Sequence, residues 1–132
     1  MQTADMTVMK ALKGGAIAGF LAIGINNIWS LVANLLGATV PPGFNLAVTI
    51  ASLLPLLVGS LIYFLLVQYA PKGKMIWLVI SIVFMLYSFY PVFNTAQLPD
   101  GTVLDSTFPL LTGPMHAFTG FLGIWGIPRF AK

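Results

Sequence analysis

Cysteine is absent from this chain, which excludes disulfides, thiol redox chemistry and thiolate metal sites together. Acidic residues are almost absent too: there are three, against six basic residues and a single histidine. Charged residues make up 7% of the chain, where a soluble domain carries about 25%. So few charges cannot cover a water-facing surface, and lipid must be the main solvent. No carboxylate falls inside a long apolar stretch, which argues against a transporter driven through a membrane-embedded Asp or Glu. One histidine with no Cys, Asp or Glu near it makes neither a zinc site nor paired haem ligation, so no metal or cofactor is expected. The basic residues flank apolar stretches and form no run that could track a phosphate backbone, which excludes nucleic acid as a partner. No nucleophile-elbow motif supports a Ser–His pair as a protease, and no catalytic residue is assigned.

What remains is apolar: 58% of the chain is hydrophobic. It reads as one membrane domain, 1–132, with four uncharged stretches over about 14–36, 46–69, 75–92 and 110–127. Each is long enough to cross a hydrocarbon core of about 30 Å, or nearly so. The first is too long, and too interrupted by Asn26, Asn27 and Asn34, for a signal peptide. Breakers separate the stretches. Gly37 to Gly43 includes Pro41-Pro42, Ala70 to Lys74 is a tight turn, and Pro99-Asp100-Gly101 is a turn signal able to close a small hairpin. The expected fold is an all-α, antiparallel bundle of four transmembrane helices, with outer loops 37–45 and 94–109 and a cytoplasmic turn 70–74.

Charge sets the orientation. Lys10, Lys13, Lys72, Lys74, Arg129 and Lys132 all fall on one side of this arrangement, and the other side carries Asp100 and Asp105. The positive-inside rule then places both termini in the cytoplasm, in a multi-pass protein of the cell (inner or plasma) membrane. Tyr69, Trp77 and Trp125 fall near the inner boundary, where amphipathic rings settle at headgroup level.

Helical periodicity gives each stretch one small or polar face. In span one this face holds Gly15, Gly19, Ala22, Asn26 and Ser30, with Asn27 on its shoulder. In span two it holds Asn45, Thr49, Ser52, Gly59 and Tyr63. Span three has Ser81 and Ser88 with Tyr87 nearby, and span four has Thr112, His116, Thr119, Gly123 and Gly126. At 1.5 Å per residue, Asn26 and Asn27 lie about 18–20 Å above the inner end, at a height similar to Tyr87 and Ser88. Thr49, Ser52 and His116 lie about 5–10 Å below the outer end. His116, Asn26, Asn27, Thr49, Ser52, Tyr87, Ser88 and Thr112 are therefore the candidate lining of an outward-facing pocket, over packing glycines Gly15, Gly19, Gly59 and Gly123. Intramembrane Asn and Ser also serve as interhelical hydrogen-bond glue. The Gly15-x-x-x-Gly19 stripe serves either packing within the bundle or homo-oligomerisation through span one.

With its Met115-His116 pair early in the last span and its basic Pro128-Arg129 tail, the chain resembles the small bacterial four-span membrane proteins grouped as a domain of unknown function. The resemblance implies an inner-membrane helical protein and supplies no activity. The functional expectation is a non-enzymatic binding or accessory protein of the lipid bilayer, holding a small neutral or lipid-like molecule. The alternative is a small oligomeric channel or transporter.

Overall fold

The computed structural model describes residues 5–132 and is all α-helical, with no strand among the described residues. Helix α1, Val8–Leu35, begins well ahead of Gly14 because Thr7 caps it, its hydroxyl accepting the Lys10 N–H at 3.2 Å. It ends where the sequence places a breaker. Gly37 adopts φ 99°, and Gly37 and Ala38 return their N–H groups to Asn34 and Ala33, the Schellman pattern.

Helices α2, Phe44–Tyr69, and α3, Gly73–Asn94, are joined by the short basic turn. Lys72 takes the left-handed conformation there (φ 60°), and a side chain at Gly73 would run into the Leu66 carbonyl. The long loop after α3 closes the expected small hairpin, a single antiparallel bridge between Gln97 and Val103 around Gly101 (φ 89°).

The last rod departs from the expectation of one plain helix over 110–127. It consists of α4, Phe108–Phe121, a π-helical turn, Leu122–Gly126, and α5, Ile127–Phe130, running on without a break. Helices α1, α2 and α3 are each long and apolar enough to cross a membrane; α4 alone has 14 residues.

Helix α1 packs along α2 on one side and the last rod on the other, while α3 bridges α2 and the last rod on the diagonal. The α1–α2 seam is the tightest because small residues line it. A Cβ at Gly15 would fall within 2.7 Å of the Ser60 side chain and the Leu56 carbonyl, and one at Gly19 would meet Leu53. The Gly15/Gly19 face is thus occupied within a single chain.

One core cluster joins Ala18, Tyr63, Trp77, Ile127 and Ala131 at the end that also holds the α2–α3 turn and the last residues. The basic residues flank this end, while Asp100 and Asp105 sit in the loop at the other. Trp77 is no interfacial ring: it is 5% exposed, packs edge-on against Tyr63, and donates its indole N–H to the Gly123 carbonyl.

Prolines inside the helices remove backbone donors, and at Pro114 a side chain from another helix answers for the loss. Pro114 leaves the Leu110 carbonyl without its helical partner, and Trp29 Nε1 donates to Leu110 O (3.2 Å) and Leu111 O (3.1 Å).

Candidate functional site

Helices α2 and α3 meet at their basic turn but enclose a cleft along their length, backed by the last rod and by one residue of α1, Asn26. Its volume is about 560 Å³, within the range of clefts that hold drug-sized ligands. The walls are mostly apolar, including Val48, Leu56, Phe84, Met85 and Met115. Ala47, Ala51, Pro55, Val58 and Phe84 line it and are exposed, so the cleft opens sideways between α2 and α3. The 94–109 loop contributes no lining residue.

Asn26, Ser52, Ser88, Thr112 and His116 come together on this cleft. Asn26 is 2% exposed, and its Nδ2 donates to Ser52 Oγ and to Thr119 Oγ1, each at 2.9 Å. One amide therefore ties α1, α2 and α4 together at the back of the cleft. Its Oδ1 is buried and accepts no hydrogen bond. His116 is partly buried and lies beside Phe89, ring centroids 5.9 Å apart. Thr119 shares the helical face of His116 three residues on, and that shared face is the sequence signal for it.

The other three candidates lie elsewhere. Asn27 Nδ2 donates to the Ile23 carbonyl (2.9 Å) and to Thr49 Oγ1 (3.4 Å), so this pair belongs to the α1–α2 seam. Tyr87 is 73% exposed on the outer side of α3, one residue and about 100° of helical turn away from Ser88. Of the glycines, Gly59 and Gly123 line the cleft, Gly59 facing Trp77 and Gly123 facing Leu56; Gly15 and Gly19 do not line it.

Pro55 adds a second polar feature to the wall. It has no N–H for the Ala51 carbonyl, and both residues line the cleft. No described side chain donates to that carbonyl. Among the described residues no group of three or more His, Cys, Asp or Glu could hold a metal ion.

A family model, described as a family of unknown function (DUF6069), matches residues 7–108. The chain belongs to this family. In this DUF6069 chain the match spans α1 to α3 and stops where α4 begins, so it includes Asn26, Ser52 and Ser88 but neither His116 nor Thr119. No curated protein and no solved structure matches the chain.

Proposed function

We propose that this chain is a four-span integral membrane protein, with both termini cytoplasmic, that binds a small neutral or lipid-like molecule in the α2–α3 cleft. The last rod, at 1.5 Å per residue from Phe108 to Phe130, is about 35 Å long, which supports a fourth crossing. Gathering of the basic residues at one end supports the orientation. The observation that carries the binding role is the cleft itself: apolar, open towards the lipid side, and backed by a buried polar cluster missing a partner. The role is non-enzymatic, as a membrane binding or accessory component, and the lining offers no nucleophile–base pair in hydrogen-bond contact.

The oligomeric channel or transporter built through the Gly15/Gly19 face draws support from no particular observation, since those glycines pack against α2. Native mass spectrometry after mild detergent extraction tests the reading. Wild type is expected to retain one apolar molecule, and Ala51→Phe, which fills the cleft from an exposed rim, is expected to lose it at unchanged helical content. Equal retention by both, or by neither, would contradict the proposal.

A further inference from the structure

Five hydroxyls line the cleft, and they divide into two kinds. Ser81 donates to the Trp77 carbonyl (2.7 Å), Ser88 to Met85 (2.6 Å) and Thr112 to Phe108 (2.9 Å), so these protons return to their own helices. Ser52 and Thr119 differ: both are held as acceptors by Asn26 Nδ2, and neither gives its own proton to any described residue. Turning the Asn26 amide over does not close the network. Oδ1 would then accept both hydroxyl protons, and the two Nδ2 protons would be orphaned instead. In either orientation two donors at the back of the cleft lack an acceptor, and buried donors without acceptors are rare in folded proteins.

The lining contains no Lys, Arg, Asp or Glu. A charged headgroup drawn into this cleft would meet no permanent counter-charge, the one titratable lining group being His116, and an unpaired charge in an apolar setting is costly. With the amide as described, the site lacks an uncharged acceptor for the Ser52 and Thr119 protons, beside a donor for Asn26 Oδ1; a carbonyl oxygen, with two lone pairs, can take both protons at once. The sideways opening lets an apolar body remain in the bilayer while its polar group reaches the cluster.

Resting on the reading of the cleft as a ligand site, we propose that its occupant is an uncharged lipid carrying a carbonyl group, received by the hydroxyls of Ser52 and Thr119. Charged phospholipids are excluded. Three probes of matched chains separate the possibilities: dioleoylglycerol, its dialkyl ether analogue without carbonyls, and dioleoyl phosphatidate. Each is titrated into the full-length protein and bound lipid is counted by native mass spectrometry. The ester is expected to bind about tenfold more tightly than the ether, as loss of one to two hydrogen bonds implies, and the phosphatidate more weakly than either.

In Ser52→Ala/Thr119→Val the ester should fall to the affinity of the ether, which itself should not change. If that variant does not fold, the ester-to-ether ratio in wild type decides alone. Equal binding of ester and ether, or tightest binding of the phosphatidate, overturns the carbonyl assignment while leaving a lipid site standing. Binding of none of the three overturns the assignment and the cleft reading together.

Discussion

Trp77 donates its indole N–H to the carbonyl of Gly123 at 3.2 Å, and that carbonyl has no donor on its own rod. In the π turn the Ile127 N–H goes to Leu122, one residue further back than in an α-helix. The next residue, Pro128, has no N–H to offer. A buried acceptor created by one helix is thus satisfied by a ring from α3, and the ring is fixed against the cleft that it lines.

Replacing Trp77 by Phe is expected to cost about 1–3 kcal/mol, the range for leaving a buried polar group unsatisfied. The cost should shrink in a Pro128→Ala background, where residue 128 regains an N–H five positions after Gly123. Unfolding of the two single variants and the double variant in detergent checks this. Equal cost in both backgrounds would show that the indole serves only as packing.

Glycines divide by what faces them. Gly15→Ala is expected to destabilise the α1–α2 seam by about 1–3 kcal/mol through overpacking against Ser60 and Leu56. Gly24→Ala, with nothing within 4 Å of the new Cβ, is expected to be neutral or to stabilise by up to about 1 kcal/mol. Thermal unfolding of the pair in one detergent provides the comparison.

At the acidic end, Asp105 ties the α1–α2 and α3–α4 loops together. Thr39 Oγ1 donates to its Oδ2 (2.5 Å), the Thr107 N–H to its Oδ1 (2.8 Å), and the Thr39 N–H to Thr107 Oγ1 (2.9 Å). Hydrogen bonds from Thr107 and then Thr39 hold its carboxyl below the usual carboxylate range. A carboxyl depressed in the folded state stabilises above its ordinary pKa and loses that contribution as pH falls through the depressed value. The latch should therefore persist from neutral pH into mild acid and release only in stronger acid. Amide chemical shifts of Thr39 and Thr107 should stay constant over that range, and should move at neutral pH in Asp105→Ala.

Orientation is tested readily because the chain has no cysteine of its own. Ser106→Cys is expected to react with an impermeant maleimide on intact cells. Lys74→Cys should react only after permeabilisation, and the reverse pattern would invert the proposed topology.

Much of the architecture was legible from uncharged runs and breakers. The breakers at Gly37 and at the Lys72–Gly73 turn separate helices as expected: Gly37 supplies the positive φ that ends α1, and Gly73 the close backbone approach at the start of α3. The polar partners were harder to read. A helix with small residues on much of its circumference can turn several faces to its neighbours, so Asn26 and Asn27, adjacent in sequence, joined different seams. Tyr87 was grouped with Ser88 by depth, yet one step along α3 carries it to the outside. The role of Trp77 depends on a π turn, and hydrophobic periodicity carries no sign of one. Thr119 lies on the same face as His116, so helical periodicity carries its signal while depth along the helix does not.

An experimental structure of the full chain in a lipid nanodisc tests the central claim most directly. The account predicts elongated non-protein density between α2 and α3, ending at the hydroxyls of Ser52 and Thr119 beside Asn26. A cleft closed by contact between α2 and α3, or density that stays at the rim and leaves Ser52 and Thr119 untouched, would contradict it.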